Sequence, residues 1–199
     1  NRQLHALSGL VGSQKAVVMA DRLQKINPGA KITAITKFYN AEHCAEIFES
    51  RPDYVVDAID NITAKCHLIA HCKNESIPII VSTGSGGRMD PSQIKITDLA
   101  QTTVDPLARA VRKFLRDHHG FPPEESLPWG IPAVYSPEAY RAPEELHYDG
   151  GKGFLCVCPQ GDNPYFQCDN RNLIFGNASF VTGTFGLMCA SVVVRDLLK

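Results

Sequence analysis

The stretch Tyr54-Val55-Val56-Asp57-Ala58-Ile59-Asp60-Asn61 decides the fold. A short apolar run ends in two carboxylates and leads into Ile62 to Lys73, where Ile62, Cys66 and Ile69 share one helical face. An apolar strand that delivers carboxylates at its C-terminal end, into a helix, is where open α/β sheets hold ligands. Upstream stand Asn1-Arg2-Gln3 and Gly12-Ser13-Gln14-Lys15. Arg2 and Lys15 add positive charge. Two cations and a carboxylate suit a nucleoside triphosphate with its Mg²⁺, the cations meeting phosphate oxygens and the carboxylate meeting the metal.

Working outward, the same alternation recurs. Ser13 is expected to cap a helix to about Ile26, with Val17, Ala20, Leu23 and Ile26 as its stripe, and Asn27-Pro28-Gly29 stops it. Lys31 to Thr36 alternates like a strand, and Asn40 is placed to cap a helix through Phe48. Ile77 to Val81 reads as the next buried strand, entered through Pro78. Buried strands alternating with helices give an α/β, Rossmann-like fold: a mainly parallel sheet covered by helices.

After Ser82-Thr83-Gly84-Ser85-Gly86-Gly87 the pattern changes. Gln93 to Thr97 reads as a strand and Asp105 to Asp117 as an amphipathic helix. Phe121 to Tyr148 reads as a Pro- and Glu-rich loop, a candidate lid or crossover, with a strand at Pro132 to Tyr135. Phe154 to Cys158 is a further candidate strand, and Asn177 to Leu198 a helix of small residues. The expected organisation is a single domain over 1–199, with a nucleotide-binding part over 1–100 and a C-terminal extension over 101–199. The usual opening strand, Gly-rich turn and helix is not seen, so the chain reads as the later part of such a domain.

The 199 residues are enough for one such core, with 44% hydrophobic and 21% charged residues. A net charge of −1 gives no global pull toward nucleic acid, so an RNA partner needs a local patch. The best patch is Arg109, Arg112, Lys113 and Arg116 on the amphipathic helix. The common meaning of such a run is a solvated face. No stretch reads as long and apolar enough to span a bilayer, since Thr and Gly interrupt Phe180 to Val194. Seven irregularly spaced cysteines point to free thiols in a reducing compartment.

Asn1-Arg2-Gln3, Gly12-x-x-Lys15, Ile26-Asn27-Pro28 and Asp57-Ala58-Ile59-Asp60-Asn61 together resemble the ubiquitin-activating-enzyme-like superfamily typified by ThiF and MoeB. Within it, Thr83 to Pro91, Ile96 to Ala100, Asp105 to Ala108 and Phe180 to Gly186 resemble the TcdA (CsdL) branch, the tRNA threonylcarbamoyladenosine dehydratases. The likeness is weakest from His118 to Arg171.

The resemblance implies an enzyme that uses ATP and Mg²⁺ to adenylate the threonyl carboxylate of a modified tRNA base, after which the carbamoyl group closes a ring. It implies Arg2 and Lys15 on phosphates, Asp60 on ATP through Mg²⁺, and nucleotide-binding roles for Gln3 and Asn61. Asp57 is either a second functional carboxylate or the polar end of its strand. Gly84, Gly86 and Gly87 either admit close approach of a ligand or form an ordinary turn. The resemblance further implies a homodimer, sulfur-transfer partner proteins, and a cytoplasmic setting, or the mitochondrial outer membrane in a eukaryote. ThiF and MoeB types carry paired Cys-x-x-Cys zinc motifs. Cys156, Cys158 and Cys168 do not supply that site, so no zinc and no cysteine nucleophile are expected. Two alternatives stand beside this reading: an adenylyltransferase acting on a ubiquitin-like protein, and an inactive member serving as a subunit.

Overall fold

The computed structural model describes residues 3–122, 128–142 and 175–199. Helices α1 (Lys15–Ile26) and α2 (Ala41–Ile47) precede strand β1 (Val55–Asp57), helix α3 (Ile62–Asn74) and strand β2 (Ile79–Ser82). Then come β3 (Lys95–Asp98), α4 (Pro106–His119), β4 (Pro132–Tyr135) and α5 (Ser179–Leu197). The sheet order is β1-β2-β4-β3. β1, β2 and β4 run parallel, with Val55 opposite Ile79 and Val81 opposite Ala133. β3 is antiparallel to β4. The mainly parallel α/β sheet expected from the sequence is present. β4 comes from the second half of the chain yet lies between β2 and β3, so residues beyond 100 build the middle of the sheet.

Side chains alternate across a strand, and that alternation assigns the two faces. Ile79 and Val81 pack with α3 and α4 around Cys66, Ile69, Val111 and Leu115. Ile80 and Val134 pack on the other face against Val181, Phe185, Cys189 and Val192 of α5. The helices start where the sequence supplies caps. Asn61 Oδ1 accepts from Ala64 N at 3.0 Å, and Asp105 Oδ1 accepts from Ala108 N at 2.7 Å. Asp98 takes four backbone N–H groups, from Ala100, Trp129, Gly130 and Ile131, and so ties the end of β3 to the entrance of β4.

Four expectations fail. Lys31 to Thr36 is not a strand. Alternation makes a strand only where a neighbour accepts its backbone, and β1 pairs with β2 alone. Ser13 does not cap α1. Its N–H closes a turn to Leu10 O, and Gln14 takes the cap position without a side-chain bond. The stripe of α1 is uncovered, with Val17 50%, Leu23 44% and Ile26 67% exposed. Finally, α5 is long and apolar enough to cross a membrane by length and composition, with mean hydropathy 1.4 over its window, despite its Thr and Gly residues. In this fold it is a layer, its Val181–Phe185–Cys189–Val192 stripe seated on β2 and β4. The candidate strand at Phe154 to Cys158 lies outside the described residues.

Candidate functional site

A cavity of about 760 Å³ opens at the C-terminal edge of β1 and β2. Its position follows from the strand period. Val56, Ala58 and Ser82 point to the α5 face and line it, while Asp57 and Val81 point to the α3 face. Thr182, Phe185, Gly186, Cys189 and Ala190 of α5 form the facing wall. These are mostly small residues, which is why a helix packed on the sheet leaves room. The volume lies within the roughly 300–1,000 Å³ of small-ligand sites.

Asp60 stands at the rim, exposed, beyond the strand end. Nothing among the described residues pairs with its carboxylate. Asp57, three residues earlier, has the opposite fate. It is fully buried and forms an ion pair with Lys65 Nζ at 2.8 Å, and its Oδ1 accepts from Ile59 N at 2.9 Å. Burial pushes the Asp57 carboxyl up, and Lys65 and the Ile59 N–H pull it back. Lys65 Nζ also donates to Ile59 O and Ser82 O, both at 2.9 Å. One buried ammonium therefore fastens the ends of β1 and β2 together beneath the cavity. Asp57 is the polar end of its strand.

The loop after β2 forms the cavity floor through Thr83, Gly84, Ser85 and Gly86. It is fixed from below by Arg88, which is 2% exposed. Arg88 Nη1 donates to Gly84 O at 2.5 Å, with Gly86 O at 3.5 Å, and Nη2 lies 3.3 Å from Asp105 Oδ2. The Thr83 hydroxyl lies 3.1 Å from the same Asp105 oxygen and 3.0 Å from Val134 O. The packing is close. A Cβ on Gly84 would meet Asp105 Oδ2 at 3.2 Å. Gly87 has φ +71°, and a Cβ there would stand 2.9 Å from Arg141 O. Its N–H donates to Gly176 O and its carbonyl accepts from Arg141 N, both at 2.8 Å. Gly87 is required by geometry, and at Gly84 a Cβ would press on the Asp105 carboxylate.

The structure brings Gln3, Asp60, Gly84 and Gly86 to one cavity. It does not bring Lys15 there. Lys15 is exposed on the first turn of α1 and outside the lining. Asn61 serves as the cap of α3. Arg2, Cys156, Cys158 and Cys168 lie outside the described residues. Among the described residues no group of His, Cys, Asp and Glu is placed to hold a metal ion. Arg112 is a correction: it is buried, and its Nη1 donates to the Thr102 hydroxyl. On α4 the inward arc is Ala108, Val111, Arg112 and Leu115, and position 112 falls inside it. Arg109 and Lys113 are exposed, and Lys113 pairs with Asp117.

Burial raises the Cys189 thiol, and Cys66 and Cys72 are pushed up to about 12, so none of the three is a poised thiolate. Reading the sequence alone missed Lys65, Thr83, Arg88 and Asp105. The signal for Lys65 was a cation on the apolar stripe of α3. Thr83, Arg88 and Asp105 stand in the stretches that carry the family resemblance, where no role was read for any of them.

A mainly parallel sheet with a nucleotide-sized cavity at its strand ends, a carboxylate unpaired among the described residues at the rim and a glycine loop as floor defines a nucleotide-binding α/β protein. The chain matches the ThiF family over residues 1–199 and belongs to it. It is similar to the tRNA threonylcarbamoyladenosine dehydratase of Escherichia coli K12, at 36% identity over 198 residues, covering 100% of this chain and 71% of that protein. The Haemophilus influenzae protein of the same name is 36% identical over 199 residues, again covering 100% and 71%. The crystal structure of the E. coli dehydratase TcdA in complex with ATP superposes with a TM-score of 0.80 at 34% identity, covering 100% of this chain and 69% of that one.

Proposed function

We propose that this chain catalyses the ATP-dependent dehydration of threonylcarbamoyladenosine in tRNA. The observation that carries the reading is the cavity at the parallel strand ends, with Asp60 unpaired at its rim, in a chain so similar to dehydratases. The threonyl carboxylate attacks the α-phosphorus of ATP and pyrophosphate leaves. The carbamoyl group then attacks the acyl carbon, AMP departs with its oxygen, and a proton is released. Net water is lost from the nucleoside. The chain's part is positioning and charge neutralisation.

The donor set fits a hard cation: a carboxylate without a partner among the described residues, facing a volume large enough for phosphates. Asp60 would hold Mg²⁺ together with phosphate oxygens, and the ion would neutralise charge building on the phosphates. Gln3 lines the same cavity and is assigned to the nucleotide. Arg2 is assigned to the phosphates on the family resemblance, and Lys15, which stands outside the cavity lining, rests on that resemblance alone. Incubation with ATP and tRNA carrying the modification tests the reading. AMP and pyrophosphate should appear one for one with the dehydrated nucleoside, read by mass spectrometry. AMP formation only with a ubiquitin-like protein would replace it by the adenylyltransferase reading.

With Arg112 in the core, the tRNA-facing side of α4 reduces to Arg109, Lys113 and Arg116. An Arg109→Glu, Lys113→Glu variant is expected to weaken tRNA binding and flatten its salt dependence while ATP affinity holds. An unchanged salt slope would remove α4 from the RNA surface. A homodimer, a cytoplasmic setting and sulfur-transfer partners complete the proposal on the family resemblance. Sedimentation as a monomer, recovery in another cell fraction, or no co-purifying sulfur carrier would each remove the corresponding part.

A further inference from the structure

We infer that the Gly84–Gly86 backbone is an oxyanion-binding loop for the acyl group being cyclised, and that buried Arg88 is the positioning residue that aims it. The inference rests on the dehydratase reading of the same cavity. In a trans peptide the carbonyl and the following N–H point in opposite directions, and the chain has no cis peptide among its described residues. The Gly84 carbonyl is turned onto Arg88 Nη1, away from the cavity, because Arg88 is buried and outside the lining. The Ser85 N–H of that peptide is therefore turned into the cavity. Among the described residues nothing accepts from the N–H of Ser85 or of Gly86, although both residues are partly buried. A backbone donor left without a partner at the floor of a ligand-sized cavity is a binding group awaiting its acceptor.

The proposed chemistry supplies one. When a carbamoyl heteroatom bonds to the acyl carbon of the adenylate, the acyl oxygen takes the electron pair and becomes an oxyanion. The pair returns as the carbon–oxygen bond to phosphate breaks, AMP leaves with that oxygen, and the carbamoyl proton passes to water. Fixed backbone donors at that oxygen stabilise the second step. They offer much less to the first, in which the carboxylate loses charge to phosphorus. A role for Arg88 in stability alone fits poorly with its geometry. Its Nε is buried with no partner among the described residues, and a half-satisfied buried ion pair is a weak stabiliser.

The test is single-turnover kinetics on the full chain with ATP and modified tRNA. Pyrophosphate release and dehydrated nucleoside are followed separately, and hydroxylamine traps the acyl adenylate. Arg88→Lys keeps the charge and loses the two-armed hold. Arg88→Met with Asp105→Asn removes both charges, so that no lone buried ion remains if the first variant folds poorly. Each variant should slow cyclisation by about 10²-fold and accumulate trappable adenylate, while pyrophosphate is still released and the Kd values for ATP and tRNA hold. Equal slowing of both steps, or no slowing in either variant, would overturn the assignment. Wild-type protein that releases no pyrophosphate with modified tRNA would instead overturn the dehydratase reading, and this inference with it.

Discussion

The two faces of the sheet are covered in different ways. On one, α3 and α4 press Cys66, Ile69, Val111 and Leu115 against Ile79, Val81 and Ala133. On the other, α5 sits on Ile80 and Val134 with Ile94 beside them, and its smaller residues stop short of Val56 and Ser82. The first face carries stability and holds the Lys65–Asp57 pair fully dry. The second carries the cavity. A chain of this length thus separates structure from chemistry by face, and adjacent residues on one strand serve different purposes.

The sharpest way to break this comparison is to strike the pair on the dense face. Lys65→Met leaves Asp57 charged and alone in the core, and should cost about 3–5 kcal/mol in urea unfolding. Adding Asp57→Leu should restore much of that loss. A marginal effect of the single variant would place Lys65 on the cavity side of the ledger.

Asp60→Ala should do the reverse. AMP formation should fall by about 10²–10³-fold with the melting temperature unchanged, since the side chain is exposed and unpaired. Loss of stability without loss of turnover would exchange the roles of the two carboxylates. Packing gives a finer measure. Ile69→Val, fully buried on the inner side of α3, should cost about 0.5–1.5 kcal/mol. Leu187→Ser on the outer side of α5, 74% exposed, should stay within about 0.5 kcal/mol. Comparable costs would show that α5 is covered on both sides in solution.

The smallest expected effect is acid sensitivity. His67 is hydrogen-bonded to Tyr39 OH at 3.0 Å, and burial, then His71 and His119, hold its pKa below the usual 6.5. The unfolded chain then binds more protons below that value, so stability rises with pH through this window and is lost on acidification. His67→Gln should flatten the fall between neutral and acid pH. An identical pH dependence in the variant would move the acid-sensitive group elsewhere.

Much of the architecture was legible in the sequence because it is local. Asn40 before Ala41 marks its helix by cap chemistry, and the cap is made, His43 N donating to Asn40 Oδ1. The β1–turn–α3 unit with Asp60 at its end needs only period and burial to be seen. What failed depended on partners. Lys31 to Thr36 alternates but has no ladder to join, and the stripe of α1 is amphipathic with no surface beneath it among the described residues. Arg112 reads as part of a basic run until the inward arc of α4 is fixed by what it packs on. The Arg88–Asp105–Thr83 knot joins residues up to 22 apart in sequence, and no local period encodes it.

The cavity is closed by segments far apart along the chain: Thr83 meets Val134 at a separation of 51 residues, and Ser85 meets Asn177 at 92. Contacts of such span are reached late in folding, because ordering the intervening chain precedes any return from them. The α3–α4 face closes at separations of 45 residues between Cys66 and Val111 and 56 between Lys73 and Trp129, shorter than the 92 that tie the floor loop to the segment entering α5, so it can form first, with α5 docking afterwards as a separate cooperative unit. Its amides should therefore exchange hydrogen before those of α3. A substrate that bridges the floor loop and α5 would then act as a clasp on the weakest joint of the molecule, slowing that exchange while leaving α3 as it was.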